Sequence, residues 1–341
     1  MVSEKLSGIY NKHYKKALIL PALILILSIV IITNFYMTNH DFVHRDLSLT
    51  GGTTITLFTN ISSNEIQTTL SSQVVDIETR YLLDSNGKQN QVIIMTSEKP
   101  EVIKPILEKY LGYSLTDSNS NIQFIGSSLS ENFYKQLGVT VLIAFFWMAA
   151  VVFVIFSDKW KIKLLAILLN ILFGIFMGKL FFKLNILLSS IFLLVFIIIL
   201  VSLYIKNSIP SFAVMFCAFA DIVMTLAVID LIGLTISGAG IVAFLMLIGY
   251  SVDTDILLTT RVLKRKDTSI NHEIFGAFKT GMTMTLTAIA SIAVALMFVH
   301  PFGTVLNQMF VILLIGLGFD MLNTWITNTS LIKWFLEHKK Q

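Results

Sequence analysis

The sequence predicts an α-helical polytopic membrane protein of about eight spans, carrying one small α+β domain outside the bilayer. Three observations predict it. Hydrophobic residues make up 55% of the 341 and charged residues only 13%, against about 25% charged in soluble domains, and the mean hydropathy is +0.78. About 20 apolar residues cross a bilayer, and runs of that length lie near 17–37, 137–156, 163–182, 186–205, 211–233, 239–260, 281–299 and 303–326. One long stretch, 40–134, interrupts this apolar pattern.

The first run, Ala17–Met37, is longer than the ~7–15-residue apolar core of a signal peptide and lacks a small-x-small cleavage site. It is expected to be a retained first span behind a short cytoplasmic segment, 1–16. Eight spans put both ends on one side. Lysine and arginine in short loops mark the cytoplasmic face. Lys5, Lys12, Lys15 and Lys16, then Lys159, Lys161 and Lys163, then Arg261, Lys264, Arg265, Lys266 and Lys279, and finally Lys333, Lys339 and Lys340 in a tail at 327–341 share that face. Lys179 and Lys183 fall at an outer turn and run against the rule. The hairpin 163–205 is therefore the weakest part of the topology. The single cysteine, Cys217, sits in an apolar span, so no intrachain disulfide framework exists. A net charge of +4 without a basic, aromatic-interleaved stripe argues against nucleic acid as a partner.

Between the first two spans, 40–134 reads as βαββαβ, a ferredoxin-like layer of helices on a sheet. A Gly51-Gly52-Thr53 turn leads into the strand TTITLFTN. The segment SSNEIQTTLSSQ follows, with Ser62 or Ser63 placed to cap a helix, because a side-chain oxygen can accept from its free N–H groups. Two β-like runs, VVDIETRYLL and QVIIMT, flank Asn86-Gly87, which tolerates the positive φ of a hairpin turn. The helix EVIKPILEKYLG sets Ile103, Ile106, Leu107 and Tyr110 on one face, with Pro105 in its early turns, and NIQFIG closes the sheet. The domain offers no metal-ligand cluster and no nucleophile–base motif, and the chain as a whole calls for no cofactor. A domain of this kind is most often a scaffold.

The chemistry lies in the membrane. A charged side chain at bilayer depth costs at least ~2.5–3.5 kcal/mol, so an intramembrane acid is a functional candidate by default. Asp221 lies near the middle of its span, about 15 Å from the cytoplasmic end, and Asp253 and Asp255 lie about 10 Å and 6 Å from that face. Asp221 and Asp253 can meet if their helices are neighbours. Asp253 and Asp255 are about 200° apart around one helix, so they cannot serve one partner. Arg261 is about 12 Å further along than Asp253. It either meets an acid on another helix or anchors the span at the cytoplasmic face. Asp230, nine residues after Asp221, is expected to be an interfacial, solvated acid. Asp320, near the inner end of the last span, is expected to snorkel or make a helix-terminal contact. Thr280, Thr283 and Thr287 form a hydroxyl stripe that either joins helices or lines a hydrated path. The small residues Gly238, Ala239, Gly240 and Ala243 allow close backbone approach.

Several segments, in order along the chain, resemble a known family. RDLSLTGGTTITL is similar to its Asp-x-x-x-Gly-Gly-Thr entry to an external domain, and FIGSSLSENF to the segment before its second span. IPSFAVMFCAFADIVMTLAVIDLIG resembles its Asp-containing central span. IGYSVDTDILLTTRVLKR is the most specific match, and FKTGMTMTLTAIAS and FDMLNTWITNTSLIKW complete the pattern. The family is SecF, in its archaeal branch, within the SecD/SecF group of the resistance–nodulation–division superfamily. The resemblance implies an RND-like helix bundle at 137–326 and pairing with SecD. It also implies association with the SecY translocon complex, and proton-motive force driving external domains that pull or hold unfolded secretory polypeptide. It matches Asp221 and Arg261 to positions implicated in proton coupling. Asp253 falls where bacterial relatives carry Asn, Thr254 where they carry Asp, and Asp255 where they carry Thr. The family usually has six spans, so 163–205 looks like an inserted helix pair.

The expectation is therefore a transport protein, not an enzyme. Asp221 is the proton-binding group, Arg261 its counter-charge and Asp253 a second polar partner, with Asp255, Thr283, Thr287 and Asp320 secondary. Two rival functions remain: an assembly subunit without proton flux, and a small RND-type exporter. The exporter is disfavoured by one small domain and the lack of internal duplication. An intramembrane aspartyl protease is disfavoured because Gly316-Leu317-Gly318-Phe319-Asp320 carries one residue too many, which rotates the acid by about 100°.

Overall fold

The computed structural model describes residues 13–74, 76–83, 89–181, 183, 185–264, 269–299 and 305–339. The Asn86-Gly87 turn and the basic residues Lys5, Lys12, Arg265, Lys266 and Lys340 lie outside them. Eight helices among the described residues are long and apolar enough to cross a membrane. They are α1 (Ile19–Asn39), α5 (Ser127–Phe156), α6 (Trp160–Ile175, extended by a π turn at Phe176–Leu180), α7 (Ile186–Asn207), α8 (Ile209–Leu231), α9 (Gly238–Lys264), α10 (Ile270–Val299) and α11 (Val305–Leu322). The last continues through a π segment, Asn323–Asn328, into α12 (Thr329–Lys339).

The external domain is a four-stranded antiparallel sheet in the order β2-β3-β1-β4. A short helix α2 (Leu47–Thr50) precedes β1 (Gly52–Leu57), α3 (Ser63–Leu70), β2 (Glu78–Leu83), β3 (Gln89–Thr96), α4 (Pro100–Leu111) and β4 (Ser120–Ile125). Alternation drives the layer. Ile55 and Leu57 of β1 and Val92 and Ile94 of β3 point one way, and α3 and α4 cover them with Ile66, Leu70, Ile103 and Leu107. Ser62 occupies the N-cap of α3, but its side chain makes no capping bond, contrary to expectation. β2 begins at Glu78, so Val74 belongs to the preceding turn and packs into the domain core. Gly51 (φ +84°) ends α2, and a Cβ there would sit 2.6 Å from Ser127 Cα at the start of α5. Glycine therefore lets the domain close against the membrane helix that follows it.

Within the bundle, α8 and α9 are the most enclosed spans. α8 touches α1, α5, α7, α9, α11 and α12, and α9 touches α5, α10 and α11. Gly316 of α11 makes the α9–α11 approach possible, since a Cβ there would lie 2.5 Å from Leu247 Cδ2. The pair α6–α7 lies at the bundle's flank, where Phe173, Met177 and Tyr204 pack on Phe146 and Phe153 of α5. The outer surfaces of α1, α6 and α7 are long rows of exposed Leu, Ile, Val and Phe, as a lipid-facing surface requires.

Candidate functional site

The buried faces of α8, α9 and α11 carry a cluster of three carboxyl groups: Asp221 at 0% exposure, Asp255 at 0% and Asp320 at 1%. On α9 the inward face follows the helical repeat through Leu247, Ile248, Ser251, Thr254, Asp255, Leu258 and Thr259, all buried. On α11 the α-helix gives way after Asp320 to the π segment. There Asn323, Thr324, Thr327 and Asn328 are all buried, so one short stretch presents four polar side chains inward. Such π segments recur at functional sites.

The hydrogen bonds join the three helices. Ser251 Oγ donates to Asp221 Oδ2 at 2.6 Å, and Asn323 Nδ2 donates to Asp221 Oδ1 at 2.7 Å. Thr324 Oγ1 lies 2.9 Å from Asp255 Oδ1 and 3.1 Å from Asp320 Oδ1. Thr254 Oγ1 is 3.3 Å from both Asp320 oxygens, and Asn328 Nδ2 donates to Asp255 Oδ1 at 2.7 Å. Asp255 Oδ2 is buried with no hydrogen-bond partner among the described residues. Each hydrogen-bond donor found on the three acids is a hydroxyl or an amide. No ion pair to any of them occurs among the described residues. The acids also lie within one another's electrostatic reach, Asp320 acting on Asp221 and both acting on Asp255. Ionised carboxylates packed this way would repel, and no cation among the described residues compensates them. Among the described residues no group of three or more His, Cys, Asp or Glu could hold a metal ion.

Several sequence-level expectations change. Asp253 is exposed, on the outward face it shares with Met246 and Tyr250. Asp255 takes the inward position expected for Asp253. The reason is the 200° between them: the apolar face that packs on α8 and α11 runs through Asp255. No ion pair joins Arg261, expected as the counter-charge, to Asp221 among the described residues. Its guanidinium lies by α10, where Nη1 would be 3.2 Å from a Cβ at Gly276. It is also ten residues, about 15 Å, beyond Ser251, the α9 residue that does bind Asp221. Asp320 does not snorkel; it belongs to the cluster. Thr283 and Thr287 are exposed on α10 and donate to the carbonyls of Lys279 and Thr283 at 2.8 and 2.7 Å. They border an open groove of about 680 Å³ with Lys279, Thr280 and Ser291. Asp230 is buried, not solvated. Sequence reasoning missed Ser251, Asn323, Thr324, Thr327 and Asn328. Their signal was a run of Asn and Thr inside an apolar span, Asn323-Thr324-Trp325-Ile326-Thr327-Asn328.

The bundle's fold has a solved counterpart. A crystal structure of SecDF, a translocon-associated membrane protein, from Thermus thermophilus superposes with a TM-score of 0.58 at 13% identity, over 96% of this chain. The chain spans 38% of the length of that SecDF. A family model for the C-terminal part of the protein-export membrane proteins SecD/SecF matches residues 174–338. The protein-export membrane protein SecF of Methanocaldococcus jannaschii is 30% identical over 329 residues, covering 95% of this chain and 96% of its own. The chain belongs to the SecF family. SecF of Pyrococcus furiosus aligns over all of this chain at 27% identity. The SecF match runs across the external domain and the α6–α7 pair as well as the cluster. The family's members are named for a transport role in protein export, not a catalytic one.

Proposed function

We propose that the chain acts in protein export as a proton-coupled subunit of the Sec translocase, paired with a SecD-type chain and associated with the SecY channel. The carboxyl cluster carries this reading: three buried acids from three spans, surrounded by neutral donors and with no ion-pair partner among the described residues. Protonation removes charges that are costly in low dielectric. Loss of protons makes the acids repel, which favours a different packing of α8, α9 and α11. That is a two-state element which a proton gradient can bias. Asp221 and Asp255 serve as the proton-binding groups, Asp320 as the acid that couples them, and the π segment as the element whose register differs between states.

The orientation follows from the same proposal. The basic residues Lys15, Lys16, Lys159, Lys161, Lys163, Lys264 and Lys333 mark the cytoplasmic side, and the sheet domain lies outside, where emerging unfolded polypeptide is held. The test is export of a secretory protein into inverted vesicles containing the chain, its SecD-type partner and the channel, with and without a proton gradient. Gradient-dependent stimulation that is lost in Asp221→Asn and Asp255→Asn supports the reading. Undiminished stimulation in both variants would make the chain an assembly subunit instead.

A further inference from the structure

Nine residues beyond Asp221 on α8, Asp230 is only 7% exposed, and neither of its carboxyl oxygens has a hydrogen-bond partner among the described residues. An unpartnered buried polar group is costly, and an unpartnered buried charge far more so. The surroundings are built from the linker between α1 and the external domain. Asp46 N donates to Ile236 O at 2.9 Å and Ile236 N donates to His44 O at 2.6 Å, pinning the linker to the α8–α9 turn. Val43 packs with Ile229 and Ile236. In that linker, Asp41 Oδ2 holds Arg45 Nε at 2.5 Å and Asp41 Oδ1 accepts from Tyr134 Oη at 2.9 Å. Arg45 also reaches Glu131 at 2.6 Å and lies 4.8 Å over the Tyr134 ring. Asp41 is the charge that acts on Asp230.

We propose that Asp230 is a second, outer proton-binding site, roofed by the Asp41–Arg45–Tyr134 network. When Asp230 holds its proton, Arg45 stays with Asp41 and Glu131 and the linker is clamped. When the proton leaves to the outer water, the new carboxylate competes for Arg45 and loosens the clamp that seats the external domain. A proton fits better than a metal cation. Both Asp41 oxygens are already engaged, one by Arg45 and one by Tyr134.

The titratable and charged groups nearby come from the linker (Asp41, His44, Arg45) and from α5 (Glu131, Tyr134). α1 ends at Asn39 with His40 as its C-cap, while the first turns of α9 and α11 bring the uncharged Gly238 and Gln308. Burial opposes the Arg45 charge, but the Glu131 hydrogen bond and Asp41 outweigh it and raise its pKa. Arg45 therefore stays charged while the acid titrates. The site extends the proton-coupled reading above, because both acids ride on one helix, but its proton binding is measurable without export.

The experiment is a pH titration of the full chain in lipid vesicles, followed by infrared difference spectroscopy of the protonated-carboxyl stretch. The expected result is a titrating band lost in Asp230→Asn and retained in Asp221→Asn. Its midpoint should move to lower pH in Asp41→Asn, which removes repulsion and frees Arg45, and to higher pH in Arg45→Gln. Spectra of Asp230→Asn that superimpose on the parent overturn the proposal, as does a midpoint unmoved in both linker variants. Removal of the band by sodium at constant pH overturns it too. If Asp230→Asn fails to fold, Asp230→Glu gives the same reading, and an undisplaced midpoint there counts against the site. A band lost only in Asp221→Asn would sink this site and leave the inner cluster standing.

Discussion

Asn328 of the π segment donates its side-chain amide to Asp255 of α9 across 2.7 Å, while the other Asp255 oxygen stays buried with no hydrogen-bond partner among the described residues. One acid is thus half satisfied by a helix it does not belong to. This makes α9 and the last span report on each other's position.

The two acids of the Asp253-Thr254-Asp255 run should therefore behave differently. Asp255→Asn is expected to lower gradient-driven export by about an order of magnitude or more, an effect of ~1.4 kcal/mol per tenfold. Asp253→Asn should leave it unchanged. Parallel export assays on the two variants check this. Equal losses would place the function on the wrong face of α9.

Asn328→Ala and Thr324→Val each remove a donor from Asp255. Leaving a buried acceptor unsatisfied costs about 1–3 kcal/mol. Thermal unfolding of the purified chain in detergent should show both variants less stable than the parent. Combining either with Asp255→Asn should relieve part of that loss.

Gly316 offers a packing test. Gly316→Ala puts a methyl 2.5 Å from Leu247 Cδ2, and Leu247 is fully buried. Overpacking of this kind costs about 1–3 kcal/mol. Leu247→Ala should recover stability in the double variant, giving a coupling of roughly 0.5–3 kcal/mol in a double-mutant cycle.

Gly51→Ala tests the seat of the external domain. Alanine is strained at φ +84° and its Cβ meets the Ser127 backbone. The substitution is expected to leave the membrane bundle intact and to speed proteolysis between α2 and α5. Cleavage rates on intact vesicles measure this.

Much of the architecture was legible in the sequence because bilayer thickness and side-chain alternation leave few choices. Apolar runs such as 211–233 and 239–260 correspond to α8 and α9, and the strands of the external domain follow from alternation in TTITL and QVIIMT. The site was less legible. Asp221 stood out as an acid in a long apolar span. Choosing between Asp253 and Asp255 needed the inward face of α9, which the buried Leu247, Ile248 and Leu258 define. The Asn323–Asn328 donors were hidden because neutral side chains barely disturb hydropathy, and a π turn has no strong compositional mark. Asp230 was misjudged because depth along a helix does not reveal whether a linker folds over its end.

The π segment also constrains chain length. In an α-helix, side chains five residues apart diverge by about 140°, so Asn323 and Asn328 could not both face inward. The wider turn lets one reach Asp221 and the other Asp255. Inserting a single residue between them would set the two amides six apart, about 120° from each other in α-helical winding, and separate them. Between Asn323 and Asn328, an added residue should be tolerated less well than a change of side chain.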